Sequence, residues 1–344
     1  MEIQLNTLYV VTDASTIRRD HLTLQVVVQK QTRLTVPIHQ LESVAAFGGV
    51  HVTPSAMSLC AEYGVAVNFL TESGRLMARV DAPSSGNVLL RRTQYRLADD
   101  QAVRASVARC VVAGKVQNAR NLLLRAGRES TDAADQGVIT AATRRLADVL
   151  PQLETETDVD SVRGREGDAA RVYFESFTAM VRANRATFTA NGRTRRPPLD
   201  RMNALLSFLY GLLCQDCVAA CAAAGLDPSV GFLHVDRPGR PGLALDLMEE
   251  FRPLLVDRLA LALVNRQQVK PDGFVIRDGG AVWMDEATRK AVLSGWQQRK
   301  REEVMHPVLN QKVPVGRLPF LQARILARYL RGDLPSYVPC IPKN

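Results

Sequence analysis

Two acidic regions and one histidine are the residues of this chain best suited to chemistry. The first region is SVRGREGDAARVYFESFTAMV (161–181), where Ala170, Phe174, Phe177 and Val181 recur at helical steps. Counting back four from Ala170 reaches Glu166. A carboxylate at the top of a core-facing stripe is costly unless a cation meets it. Read alone, Glu166 has a plainer reading, a helix-start carboxylate resting on the N-terminal dipole. The second region is LHVDRPGRPGLALDLMEEFRP (233–253), in which His234 lies in a turn-rich loop before a helix carrying Asp246, Glu249 and Glu250. Acids at i, i+3 and i+4 repel by roughly 0.2–0.5 kcal/mol per pair on a bare helix, so their clustering invites a cation. The plainer alternative is a solvated acidic face paired with Arg252. One imidazole among several carboxylates is a nitrogen-and-oxygen donor set, which suits Mn²⁺ or Mg²⁺ better than a structural zinc.

Other features are less committal. Cys214, Cys217 and Cys221 follow C-x₂-C-x₃-C, yet on a helix they share one face and read as buried packing. Arg193, Arg195 and Arg196, followed by Pro197 and Pro198, form an extended basic loop suited to phosphate. Arg237 and Arg240 add positive charge beside His234. Arg299-Lys300-Arg301, on an expected helix, reads equally as a phosphate contact or a solvated face. No GxxxxGK[ST] loop, dinucleotide fingerprint, HExxH or GxSxG is present, which removes the commoner nucleotide-hydrolase, zincin and serine-hydrolase readings.

The elements that must position these residues divide the chain. From Leu8 to Val80 the sequence is strand-like (LYVVTD, HLTLQVVVQ, TRLTVPI), interrupted by one short helix with Thr53 as cap, Pro54 at its first position and Gly64 past its end. VAVNFLTESGRLMARV then returns to strands across a Ser-Gly turn. The composition changes at Pro83–Asn87, giving an expected β-rich domain over 1–86 and an α-helical domain over 87–344, an α+β fold. Helical periodicity covers 88–126, 132–149, 166–190, 200–224 and 243–268, with ETETDVD (154–160) as an acidic linker and one minor hairpin around Asp278-Gly279-Gly280. The apolar stretch Ala204–Gly225 carries Gln215 and Asp216 near its middle and reads as a helix inside the bundle, not a membrane span.

At 344 residues with 46% hydrophobic and 23% charged residues, the composition is that of a folded globular protein. The net charge of +9 attracts polyanions, a signal that fits nucleic acid without specifying it. MEIQLNTLYVVTD has no charged leader with an apolar core, so a cytoplasmic location with reduced thiols is the expectation.

The blocks SVRGREGDAARVYF, RPPLDRMNALLSFLYGLL and GFLHVDRPGRPGLALDLMEEFRP, in that order and spacing, resemble the signature blocks of the CRISPR-associated spacer-acquisition integrase, closest to its type I-C branch. The likeness extends to LNTLYVVTD, HPVLNQKV and QARILARYLRG. It implies a β-rich dimerisation domain and a helical catalytic domain in which Glu166, His234 and Glu249 bind Mn²⁺ or Mg²⁺. Asp246 is then auxiliary, and Asn203 and Tyr210 line the site. The implied reaction is a transesterification inserting captured DNA into a CRISPR array, with hydrolysis of DNA as its variant. The implied partners are double-stranded and branched DNA, a second copy of the chain, and a small companion acquisition protein bridging two dimers, with no membrane. The competing reading is a non-catalytic basic scaffold that grips DNA while the acids serve the fold.

Overall fold

Alternation of apolar residues along the first eighty positions builds two small sheets. A computed structural model describes residues 6–80, 88–189, 192–194 and 197–342; the expected boundary at 83–87, Arg195 and Arg196 lie outside the described residues. The strands are β1 (Thr7–Val10), β2 (Thr16–Asp20), β3 (Thr23–Val28), β4 (Gln31–Pro37), β5 (Ser43–Phe47), β6 (His51–Val52), β7 (Ala66–Leu70) and β8 (Leu76–Val80), with helix α1 (Pro54–Glu62) before β7. One sheet has the order β4-β3-β2-β6 and the other β1-β5-β7-β8. As the sequence predicts, the Thr53 hydroxyl caps α1 by accepting from the Ala56 N–H at 3.3 Å, and Gly64 takes φ +70° past its end. Strand β5 is buried on both faces: Val44 and Ala46 enter the core between the sheets, while Ala45 and Phe47 enter the core of the helical part.

The helical part comprises α2 (Val88–Asp99), α3 (Gln101–Glu129), α4 (Ala133–Thr155), α5 (Val159–Glu175), α6 (Arg201–Ala223), α7 (Gly242–Glu249), a π-helical segment (Arg252–Asp257), α8 (Arg258–Asn265), α9 (Glu286–Arg301) and α10 (Leu318–Leu330). Several boundaries differ from the periodicity. The helix expected over 88–126 breaks at Asp100, whose carboxylate accepts from the N–H groups of Ala102 and Val103 and so starts α3 afresh. The helix expected over 166–190 runs instead from Val159 to Glu175, because Asp158 caps it at Ser161, and the acidic linker shrinks to the residues between Thr155 and Val159. The expected hairpin forms as β9 (Phe274–Ile276) and β10 (Val282–Met284), with Gly279 and Gly280 both at positive φ. A second hairpin, β11 (Glu303–Met305) with β12 (Lys312–Pro314), was not anticipated.

Helix α6 is the one described helix long and apolar enough to cross a membrane, but 67% of its most apolar window is buried inside the protein. Cys217 and Cys221 are fully buried on it, and burial pushes their thiols up, as expected for packing residues. Its Phe208 ring stacks on Phe47 at 5.8 Å, and Gly211 lies so close to the β7–β8 turn that a Cβ there would stand 2.5 Å from the Gly74 carbonyl oxygen. Sheet and bundle are therefore in direct backbone contact. The basic run on α9 is not a solvated face: Arg299 and Lys300 are buried, Arg299 donating to the Leu254 carbonyl at 2.8 Å and Lys300 pairing with Asp216 at 2.9 Å.

Candidate metal centre

Helix α5 packs along α3 and α4, and its middle carries Glu166 toward α3. Glu166 is thus an interior helix position, eight residues beyond the Asp158 cap, which removes the helix-start reading. The three acids of the second region separate once α7 is in place. None is solvated: Asp246, Glu249 and Glu250 are exposed by 1%, 4% and 0%. Glu250 turns away from the other two to accept from Tyr337, the Cys340 N–H and Gln322. Asp246 turns under the preceding loop. Its Oδ2 accepts from the N–H groups of Phe232 (2.6 Å) and Leu233 (2.9 Å), and its Oδ1 from the N–H of His234 (2.9 Å). Oδ1 also meets His234 Nδ1 at 2.7 Å.

Those bonds explain Gly231, since a Cβ there would stand 2.7 Å from Asp246 Oδ2 and 2.8 Å from the backbone of Gly242. They also fix the imidazole. With Nδ1–H directed to Asp246, the lone pair falls on Nε2, which faces Glu249 Oε1 at 4.0 Å. The loop is held from the other side by Arg163 on α5, which donates to the Leu233 carbonyl at 2.7 Å.

Glu166 and Glu249 thus meet at one cation, and His234 Nε2 faces Glu249 from the loop. The Lys115 ammonium, on α3, pairs with Glu166 and lies 2.7 Å from Glu249 Oε2; Arg252 closes the other side of Glu249 at 3.0 Å. Burial works against a charged Glu249, but Arg252, Lys115 and His234 outweigh it and hold its carboxyl down at about 2. Among the described residues no three His, Cys, Asp or Glu side chains are closed around a common point. The ammonium occupies the space between the two carboxylates, where a divalent ion would have to replace it. The donor set fits such an ion: two carboxylates and one imidazole nitrogen, with a positive charge as its stand-in.

A family model described as CRISPR associated protein Cas1 matches residues 8–298. The chain belongs to the Cas1 family. It is 48% identical over 339 residues to CRISPR-associated endonuclease Cas1 1 of Moorella thermoacetica and 47% identical over 343 residues to CRISPR-associated endonuclease Cas1 2 of Rhodospirillum rubrum, covering 98% of this chain and 99% of the relative in each case. Among solved structures, the fold is that of a casposase bound to integration product (TM-score 0.84, 20% identity, 96% of this chain and 92% of that one). It is also that of a Cas1 protein from Thermotoga maritima (TM-score 0.80, 22% identity, 95% and 97%). A third match is to a Cas6-RT-Cas1–Cas2 complex (TM-score 0.83, 24% identity), of which this chain covers 37% while being covered in full. A β-rich N-terminal part followed by a larger helical part is thus the Cas1 architecture.

Among the described residues, Tyr210, Arg193 and Asn203 of this Cas1-family chain connect to that centre through Arg252. Tyr210 donates to Asp257 Oδ1 at 2.5 Å, and Tyr173 to Oδ2 at 2.9 Å; the guanidiniums of Arg252 and Arg193 lie over the Tyr210 ring at 4.7 and 5.2 Å. Asn203 receives Arg193 at 2.6 Å and donates to the Gly192 carbonyl at 2.9 Å, so it ties the basic loop to α6. Arg193 is directed inward, also reaching the Thr194 carbonyl and Ser207. Arg237 is exposed and Arg240 half-buried on the loop after His234. Sequence reasoning missed Lys115 altogether. Its signal, a lysine between Val111, Val112 and Ala119 on an otherwise buried helical stripe, is the same one that exposed Glu166.

Proposed function

We propose that this chain is a divalent-metal-dependent DNA integrase and endonuclease that joins captured DNA to a CRISPR array. The observation that supports the reading is the Lys115 ammonium held between Glu166 and Glu249, with His234 Nε2 facing Glu249 and Asp246 spent on orienting the histidine. Glu166, His234 and Glu249 would hold Mn²⁺ or Mg²⁺. When bound, the ion supplies electrophilic activation of a phosphodiester and neutralises charge on the attacking and leaving oxygens. Asp246 keeps Nδ1 protonated and Nε2 free. Arg252, stacked on Tyr210, holds Glu249 ionised, and the displaced Lys115 ammonium, on a flexible four-carbon stem, is in reach of an incoming phosphate.

In the joining reaction a DNA 3′-hydroxyl attacks phosphorus at the edge of a repeat, one P–O bond forms and one breaks, and a new 3′-hydroxyl leaves. Water in place of the hydroxyl gives cleavage. Double-stranded and branched DNA, a homodimer and a small bridging companion protein are part of this proposal, supported by the family blocks and by the presence of a casposase bound to integration product and a Cas6-RT-Cas1–Cas2 complex among the fold relatives. The type I-C assignment rests on the signature blocks alone. Arg237 is the exposed candidate for DNA contact.

The internal Lys115 pair favours one rival, a DNA-binding scaffold whose acids only balance lysine and arginine. An integration assay with fragment, repeat DNA, companion protein and Mn²⁺ separates the two. Joined products should form and vanish in Glu166→Ala, His234→Ala and Glu249→Ala. Full activity in any of these variants removes that residue from the ligand set, and failure of Mn²⁺ both to bind and to support joining leaves the scaffold.

A further inference from the structure

A second charged site lies on the far part of the helical bundle. The C-terminal end of α3, the 179–182 segment, α8 and the end of α9 enclose a cavity of about 200 Å³. Its lining includes Arg125, Arg182, Arg258, Arg266 and Arg299 against Glu129 and Glu302, an excess of three positive charges. Arg125 stands ten residues beyond Lys115 on the same helix, so the cavity is roughly 15 Å along the axis from the candidate metal centre at 1.5 Å per residue.

The two glutamates do not account for all of the arginines. Glu129 takes Arg125 at 2.9 Å and Arg182 at 3.1 Å, and Glu302 takes Arg299. Arg299, exposed by 4%, leaves its Nε buried and without a partner. Arg258 forms no side-chain hydrogen bond or ion pair with any described residue, and it lines the cavity. Burial, with Arg299 and Arg125 as like-charged neighbours, pulls its guanidinium down to about 10, still protonated at neutral pH. Guanidiniums are forks for oxyanions, and a half-buried one held among others without an acceptor is an incomplete arrangement.

We infer that this arginine-lined cavity is a binding site for a phosphate monoester dianion, separate from the metal centre. A dianion offset against an excess of three fits the charge, and its three terminal oxygens meet several forks at once. A single carboxylate supplies one charge and one edge, and an internal phosphodiester, flanked by sugars on both sides, enters a recessed pocket less readily than a chain end. The same chemistry comes from inorganic phosphate or from the 5′-phosphate of a nucleic acid end.

The test uses the full chain without divalent metal, so its outcome is independent of the metal-centre reading. Calorimetric titration with inorganic phosphate, with glutamate, and with a short single-stranded DNA bearing or lacking a 5′-phosphate is compared between wild type, Arg258→Gln and the rim variant Arg266→Gln. Phosphate should bind wild type in preference to glutamate and at least tenfold more weakly to Arg258→Gln, with Arg266→Gln a folded intermediate case. Tighter binding of the 5′-phosphorylated DNA, lost in Arg258→Gln, assigns the site to nucleic acid ends; equal binding of the two DNAs with retained phosphate binding assigns it to the free anion. Absence of phosphate binding at millimolar concentration, phosphate affinity unchanged in both variants, or glutamate binding as well as phosphate overturns the inference.

Discussion

Lys115 shows how one side chain sets the state of the whole centre. Without it, Glu166 and Glu249 would share a partly buried space with Arg252 and His234 beside Glu249. Breaking a buried pair on one side leaves an uncompensated charge, so Lys115→Met should cost about 3 kcal/mol, the low end for such changes because Glu166 stays 27% exposed. Mn²⁺ should restore more stability to this variant than it adds to wild type, since no ammonium competes for the position. Denaturation midpoints in chelator and in Mn²⁺ check both statements, and equal midpoints in chelator would dismiss the role given to Lys115. Asp257 behaves in the opposite sense. Burial pushes its carboxyl up to about 6, although two tyrosines, Arg252 and Arg193 oppose it. The folded chain therefore holds a proton between about pH 4 and 6 that the unfolded chain has released, and the stability this confers is complete below pH 4 and lost as pH rises through 6. Asp257→Asn cannot ionise, so relative to wild type it should gain up to ~3 kcal/mol between pH 4 and 7. Urea unfolding of both proteins across that range decides it; parallel curves would refute the assignment.

At the scale of elements, the loop 231–241 and helix α7 act as one piece, because Asp246 binds three successive loop N–H groups and the His234 ring. Gly231→Ala intrudes between Asp246 and Gly242 and should turn the imidazole without removing any ligand. Misplacing the partner of a ligating histidine typically weakens metal binding 10–100-fold. A Mn²⁺ titration followed by electron paramagnetic resonance measures it, and wild-type affinity would show that the loop does not set the ring. Little of this was legible in sequence. The α1 cap, the β7–β8 turn and the Gly279-Gly280 hairpin were, because each is fixed by local backbone chemistry. The extent of α5 was obscured because Asp158, inside an apparently acidic linker, is its cap. Hairpin β11–β12 has strands of three residues, too short for any periodicity. Crowding of Asp246, Glu249 and Glu250 signalled a cation, but only packing reveals that they serve three different surroundings, and family resemblance, not spacing, singled out Glu249. Lys115 lay 51 residues before Glu166, with no local feature to join them.

Over the whole molecule, the β-rich and helical parts are coupled through a shared sheet and not by a linker alone. Successive residues of β5 enter different cores: Val44 and Ala46 the inter-sheet core, Ala45 and Phe47 the bundle. The Phe47 ring reaches Phe208 on α6, the helix that also carries Asn203 and Tyr210 beside the candidate metal centre. The contact continues through the backbone of Gly211 and Gly74 and through Arg289 with Glu72 at 3.4 Å. Two parts that bury a common strand on both faces cannot unfold independently, since exposing either core strips one face of the sheet needed by the other. Phe47→Ala removes a fully buried ring from this junction and should cost about 3–5 kcal/mol. If the junction transmits stability, calorimetry will show one transition moved to lower temperature, with the loss of sheet and helix signals remaining coincident. Two resolved transitions in the variant, with the helical one at its wild-type temperature, would mean that the bundle and its site stand without the sheet.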